Sequence, residues 1–408
     1  MFKYFSEKVT RGFISIYSTR IILRISSNLM GLFIPIFLYI FFEFSLEFVF
    51  LYYLAGYLLY ALTVAWGAQY LNKVGLRRSL RFSILLGAFY YFIFFLMDGT
   101  TIHDGSVFLF PHKASFLVAF SILILTLNRI LYWVPMHTDI AKFTSRGDRG
   151  KQISLIEATT LGLGAIMPLV AGWLLANHGY NFLFLIAILI YFLALVPLIS
   201  IPKTREKFSW TYFQSWKEFF LKKRRRVVLA YLGNGAEDAV GIIIWPIFIW
   251  ELLQGNYFEV GALSSLIVAV TIILQLSVGR LADKFDKRKM IRWGNVFYAS
   301  GWIAKIFIAT AFQIFVASAY HNMTKIFSRT PFDVLTYEKA ADQGHYVDEF
   351  TVIHEMSFQL GKILMLVFAF GVVQVFNLQW TFILAALASL AMNYLVQDEN
   401  VVRGRYAG

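Results

Sequence analysis

Apolar runs of about 20 residues alternate with short polar connections along the whole chain. A run of that length is what an α-helix needs to cross the ~30 Å hydrocarbon core of a bilayer. The pattern predicts twelve such helices, at about 16–42, 46–70, 79–97, 114–139, 152–176 and 181–200, then 227–250, 258–282, 290–309, 313–337, 350–374 and 378–396. Residues 202–226 between the two sets are charged. There, Phe208, Tyr212, Phe213, Trp216 and Phe220 recur near helical spacing, interrupted by Lys207, Lys217 and Glu218. This predicts an amphipathic helix lying on the membrane surface; a plain basic linker that fixes topology fits the same residues.

The two sets repeat each other. Pro35-Ile36-Phe37 answers Pro246-Ile247-Phe248, and 246 − 35 = 211. The turn around Asn72 answers that around Asp283, and 283 − 72 is again 211. Asn128 and Asp139 answer Asn322 and Asp333 at 333 − 139 = 194, the difference being close to the length of the loop Asp98 to Lys113. Two anchors at one offset indicate an internal duplication. The domains expected are a six-helix bundle over 1–201, a linker over 202–226 and a second six-helix bundle over 227–408.

Charge orients these helices. Of 37 Lys and Arg, 31 fall in residues 1–24, 71–81, 142–151, 203–226, 280–292, 339 and 403–405, all on alternate connections. The opposite connections carry Glu43, Glu47, Asp98, Asp104, Glu251 and Glu259, with Lys113 as the basic exception. That asymmetry is the positive-inside pattern, with both termini and the linker cytoplasmic. It also accounts for the net charge of +13 without nucleic acid, since such bases ordinarily meet lipid headgroups. A composition 59% hydrophobic and 15% charged points to an integral, multi-pass protein, expected in the plasma (inner) membrane. Residues 1–8 show no cleavable signal pattern and are read as a cytoplasmic tail. With no cysteine, disulfides and thiolate metal sites are excluded; the histidines lack metal-ligand spacing, and no phosphate-binding Gly-x-x-x-x-Gly-Lys occurs. Neither cofactor nor metal is expected, and ATP drive is not.

Six plus six helices, a long middle linker and basic turns between helices 2–3 and 8–9 resemble the major facilitator superfamily over nearly the whole chain. Its signature turn reads Gly-x-x-x-Asp-(Arg/Lys)-x-Gly-(Arg/Lys)-(Arg/Lys). Gly279, Asp283, Lys284, Lys287 and Arg288 match it, with Asp286 in place of the second Gly. In the first half Lys73, Gly75, Arg77 and Arg78 fit, while Ala68, Asn72 and Leu76 depart from it. The resemblance implies an all-α fold of two pseudo-symmetric six-helix bundles and, as function, secondary transport of a small solute by alternating access. It makes the acid of the turn a brace of the inward gate, weaker where Asn72 replaces it. An enzyme is not implied; a monomer is expected. Met167-Pro168-Leu169-Val170-Ala171-Gly172 is similar to a segment of the family's antiporters, which hints at export, although Gly164, Pro168 and Gly172 on one face also suit close helix packing.

A charge at bilayer depth costs at least about 2.5–3.5 kcal/mol, so each one needs a reason. Glu237 and Asp238 lie near the middle of helix 7 among Gly233, Gly235 and Gly241, which are expected to weaken the helix there. Two adjacent carboxylates repel, so one is expected to take up a proton, which suits proton coupling; a static ion pair with a base on another helix is the alternative. Candidate bases are Arg129, Lys325, Arg329 and Lys362, with His321 and Asp333 on the same stripe as Lys325. Helices 1, 4, 7 and 10 line the cavity in the family. The acids Asp139, Glu157, Asp333 and Glu355 are expected to pair with the basic turns. Those charges would suit a zwitterion, an anion or a proton-linked neutral solute. A member of the fold that no longer transports, acting as a membrane sensor or assembly factor, stays open on the eroded first motif.

Overall fold

The computed structural model describes residues 9–98, 112–144, 148–202, 208–282, 287–341 and 347–396, and among them it is helical with no strand. The helices are α1 (Arg11–Met30), α2 (Phe33–Phe41), α3 (Leu46–Val74), α4 (Leu76–Asp98), α5 (His112–Phe143) and α6 (Arg149–Leu198). They continue as α7 (Tyr212–Phe219), α8 (Arg225–Ala239), α9 (Trp245–Leu252), α10 (Tyr257–Ala282), α11 (Lys287–Lys305), α12 (Ala311–Ala341), α13 (Val347–Val373) and α14 (Thr381–Ala391). The helix α6 is interrupted at Gly179, whose φ of 74° and ψ of −178° lie outside the helical region, so it comprises the two helices predicted at 152–176 and 181–200.

By length and apolarity, eight spans among the described residues can cross a membrane, and the pair α1–α2, bent by 44°, makes a ninth. The span Ser154–Leu198 is 45 residues long, twice what one crossing needs. The helices α11 and α12 are not among these spans, and polar and charged side chains interrupt both, among them Asn295, Lys305, His321, Lys325 and Arg329.

The bends have a sequence cause. A proline ring collides with the carbonyl four residues earlier and leaves it without a donor. For Pro35 that residue is Gly31, where α1 ends. For Pro246 it is Ile242, inside a π-helical turn over Val240–Ile244 that joins α8 to α9. One duplicated proline thus gives one break in each half, opened fully in the first and absorbed as a π turn in the second.

The backbone carries the duplication further. Helix α3 begins at Leu46 and α10 at Tyr257, and 257 − 46 = 211; α4 and α11 begin at Leu76 and Lys287, and 287 − 76 = 211. Glu43 and Phe44 take positive φ (54° and 65°), as do Gln254 and Gly255 (52° and 80°), and 254 − 43 = 211. Each turn is closed by the same bonds, Phe44 N–H to Tyr39 O (2.8 Å) and Gly255 N–H to Trp250 O (2.9 Å).

The described contacts divide the chain into two compact units, Met1–Ser45 with Trp66–Ser209 and Asn256–Ser265, and Leu46–Ala65 with Trp210–Gly255 and Leu266–Gly408. In the first, α1 packs on α6 and α4 on α5 and α6, around Ile16, Leu23, Leu80, Ile84, Met136 and Ala194. In the second, α8 packs on α13 and α14 and α11 on α12 and α14, around Val227, Tyr231, Ile291, Phe332, Phe350 and Met392. Ile16 and Leu80 answer Val227 and Ile291 at 227 − 16 = 291 − 80 = 211, so the cores are built on equivalent positions.

The Pro168 segment sits in a helix crossing. A Cβ on Gly172 would lie 2.5 Å from Tyr257 O, and one on Gly261 would lie 2.3 Å from Pro168 O. The Leu169 N–H donates to Ser265 Oγ at 2.9 Å. Small residues there let α6 and α10 approach closely, which supports packing as their role.

Gly255→Ala is expected to lower stability by about 1 kcal/mol, the approximate cost of the left-handed region for an L side chain. Its new Cβ would also lie 3.3 Å from Trp250 Cζ2. Phe44→Gly, at the equivalent position, relieves that cost while losing the ring contact with Tyr39, and should change stability by less. Thermal unfolding midpoints of the detergent-purified protein check both.

Candidate functional site

The first-half turn is resolved in detail. Gly75, at φ +80°, ends α3 and lets α4 start at the next residue, with its N–H on Leu71 O at 2.8 Å. Asn72 makes a two-bond clamp: its Nδ2 donates to Phe208 O (2.8 Å) and its Oδ1 accepts from Phe208 N–H (2.9 Å). Arg77 donates to Ile201 O (3.4 Å), and Arg81 to Leu198 O (3.0 Å) and Ile199 O (3.2 Å). Cations on the last carbonyls of a helix are electrostatically favourable, so these arginines hold the end of α6 while Asn72 holds the start of the linker. An aspartate at 72 has no N–H to give the Phe208 carbonyl. Lys73 and Arg78 are exposed. In the second half, Asp283 and Lys284 lie outside the described residues; Gly279, Lys287 and Arg288 lie on α10 and α11, with side chains outside the description.

The intramembrane charges of the second unit come together on α8, α11, α12 and α13. Asp238 meets Lys362 Nζ through Oδ2 at 2.8 Å. Arg329 donates through Nη1 to Asn234 Oδ1, one turn before Asp238 on α8. Glu237 points elsewhere. It is 1% exposed, its Oε1 accepts a 2.5 Å bond from Tyr298 OH on α11, and among the described residues its Oε2 has no hydrogen-bond partner. Gly241 leaves room beside it, a Cβ there being 3.9 Å from Oε1. The two neighbouring carboxylates are therefore held differently, one by a lysine and one by a phenol.

Of the three glycines expected to weaken the helix, Gly241 lies inside the π turn Val240–Ile244, while Gly233 and Gly235 sit in unbroken α8 and serve close packing. A Cβ on Gly233 would lie 2.7 Å from Ala388 O, one on Gly235 1.9 Å from Phe358 O, and one on Gly361 2.0 Å from Leu232 O. They let α8 close on α13 and α14. The helical distortion is the π turn itself, which contains Gly241 and the residue, Ile242, whose carbonyl Pro246 leaves without a donor.

Sequence reasoning passed over Lys305, Tyr298 and two tryptophans. Lys305, at the end of α11 and 3% exposed, has its ammonium 3.8 Å from the Trp245 ring centroid and 4.2 Å from that of Trp302. Among the described residues no carboxylate forms a salt bridge with it. Cation–π attraction of up to about 2 kcal/mol per ring partly offsets its desolvation. The π turn sets up this cage, because an inserted residue turns the helix beyond it by about 100° and Trp245 is the first residue after it. His321 packs against the cage, 4.5 Å from the Tyr298 ring and 4.6 Å from that of Trp302. Lys325 lies 5.7 Å from the Tyr298 centroid. The signal for Lys305 was in the charge count: 37 − 31 = 6 bases lie away from the basic connections, and Lys305 is the sixth beside Lys113, Arg129, Lys325, Arg329 and Lys362.

Arg129 sits half-buried on α5 in the first unit, apart from this cluster in the chain's division. Among the described residues Glu157 pairs with Arg20 on α1 at 3.3 Å, a partner other than the basic turns expected for it. Glu355 lies near His354 (3.7 Å) and accepts from Gln359 (3.4 Å). The side chains of His137 and Asp333 are outside the description.

Residues 227–403 match the family model described as the Major Facilitator Superfamily, and this match supports membership of that family. No curated protein shows a significant match to the chain. The family consists in general of membrane transporters, and the matched residues include those of the charge cluster, Asn234 to Lys362.

The unequal holding of the two acids gives a test by stability. Asp238→Asn leaves Lys362 buried without its counter-charge, and should cost about 2–3 kcal/mol, below the fully buried range because Asp238 is 26% exposed. Glu237→Gln keeps an acceptor for Tyr298 and should cost less than about 1 kcal/mol. Unfolding midpoints of the two variants, with Asp238→Asn/Lys362→Met as a rescue, read the difference.

Proposed function

We propose that the chain is a secondary transporter that moves a small solute by alternating access, with Glu237 carrying a coupling proton. The arrangement proposed is twelve helices in two six-helix bundles, 1–201 and 227–408, joined by the linker 202–226. The apolar spans support it when α6 counts as two crossings and the polar helices α11 and α12 cross as well. Both termini are read as cytoplasmic, an orientation that the distribution of Lys and Arg supports, with the plasma (inner) membrane as the proposed location.

One observation carries the proton role: Glu237 is buried on a phenol, while Asp238 beside it is taken by Lys362. A carboxylate fixed by a lysine stays charged through the cycle and ties helices together. One that meets only a hydroxyl can gain and lose a proton as its surroundings change. Lys305 is near enough to act on it electrostatically and supplies a cation that a deprotonated Glu237 would draw upon. The other site residues then divide: Asp238 and Lys362 as a brace, Arg329 with Lys325 on the solute side, and the residues of the turns as gate supports. Arg129 is kept as a candidate on the first unit.

The reading of the chain as a non-transporting sensor leaned on Asn72. The clamp to Phe208 gives that residue a purpose of its own, and an idle fold has no use for five buried or half-buried charges at Glu237, Asp238, Lys305, Lys325 and Lys362.

In proteoliposomes, Glu237→Gln should abolish pH-driven uptake and leave exchange of internal for external solute, since exchange needs reorientation of the loaded carrier and no net proton release. Uptake and counterflow measured in the same vesicles decide it. Full pH-driven uptake in Glu237→Gln would remove the proton role.

A further inference from the structure

A groove of about 510 Å³ lies among α7, α8 and α13, lined by Trp216, Phe220, Leu221, Leu232 and Leu364, with Arg225 as its charged member. That volume falls within the range of small-molecule sites, and the lining is otherwise apolar. The groove is open: Phe220 is 73% and Leu364 48% exposed. The basic run adjoins it in the chain, Lys222–Arg224 lying between the lining residues Leu221 and Arg225. Lys222, Lys223 and Arg225 are exposed, while Arg224 is held by Glu218 through Nε (3.1 Å) and Nη2 (3.0 Å). Glu218 is the sole acid in residues 208–226, so the run keeps a surplus of positive charge.

The helix α7 explains the groove. Thr211 caps it by accepting from Gln214 N–H at 3.2 Å. It buries Ser215 and Phe219 and turns Phe213 and Phe220 outward, a short amphipathic helix with aromatic residues facing the medium. In the span Lys222–Leu252, the basic run marks where α8 leaves the hydrocarbon. An apolar slot therefore begins just below a cationic rim, at the depth where acyl chains meet headgroups.

We propose that this groove is a binding site for one anionic phospholipid, an acyl chain along Leu232 and Leu364 and the phosphate on Arg225, Lys222 and Lys223. The inference rests on the membrane-spanning reading of α8 and α13 and not on transport. Charge complementarity selects the occupant: a neutral or zwitterionic lipid fills the slot equally but leaves the rim uncompensated, and each base near an anionic surface changes affinity about fivefold. Such a lipid would hold α7 against the bundle, giving the linker a fixed seat in the leaflet.

Native mass spectrometry of the detergent-purified full chain tests this, with phosphatidylglycerol, phosphatidylcholine of the same acyl chains, and glycerol phosphate as probes. The expected result is a single retained phosphatidylglycerol adduct, preferred about fivefold or more over phosphatidylcholine. Arg225→Gln should remove most of that preference, and Leu364→Trp, which fills the slot, should lose the retained adduct. Phe220→Ser, at an exposed position with little bearing on folding, should weaken it if Leu364→Trp lowers the unfolding midpoint. Equal adducts of both lipids, insensitive to the variants, mean annular lipid only and overturn the proposal. Glycerol phosphate bound as well as the lipid would show that the groove has no part, and would overturn it too. None of these readouts involves solute uptake, so a failed transport assay leaves them intact.

Discussion

The 2.8 Å pair between Lys362 and Asp238 is the contact around which the second unit is arranged. A lysine and an aspartate placed in hydrocarbon must meet, and they meet only if their helices do. Gly235 on α8 and Gly361 on α13 allow that approach, since any Cβ at either would overlap the other helix's carbonyl. The pair also fixes the rotation of α8. With Asp238 turned to α13, the next residue back, about 100° round the helix, turns to α11 and finds Tyr298. The special surroundings of Glu237 thus follow from the ordinary ones of Asp238.

The duplication explains why this cluster is confined to one half. The offset of 211 carries Glu237 and Asp238 onto Ser26 and Ser27, while it preserves the proline break, the positive-φ turn and the core positions. What was kept is the backbone scheme; what differs is the polar content of the helices. The same holds at the basic turns. Asn72 has the amide needed to bind a backbone N–H and C=O together, a service that a carboxylate cannot give.

Much of this was legible in the sequence, because it rests on pattern. Helix positions followed from apolar runs, and the repeat of the two halves from anchors such as Pro35 and Pro246. The parts that were not legible depend on which side chains meet in three dimensions. The cage around Lys305 needs Trp245, Trp302 and the π turn together, and single residues at such spacings read as ordinary interfacial aromatics. The glycines of α8 look like helix breakers until the neighbouring carbonyls are seen. Glu157 reads as a partner of the basic turns, while the described contact it makes is to Arg20 on α1. The second-half turn around Asp283 lies outside the described residues, so the gate reading there stands on the family resemblance.

The central claim is that Glu237 is the carboxyl that exchanges a proton inside the membrane. Infrared difference spectroscopy of the protein in lipid, stepped between acid and alkaline pH, reads it directly through the stretching band of a protonated carboxyl group. The account predicts such a band in the wild type, absent in Glu237→Gln and retained in Asp238→Asn. A band that survives Glu237→Gln and vanishes with Asp238→Asn would contradict it.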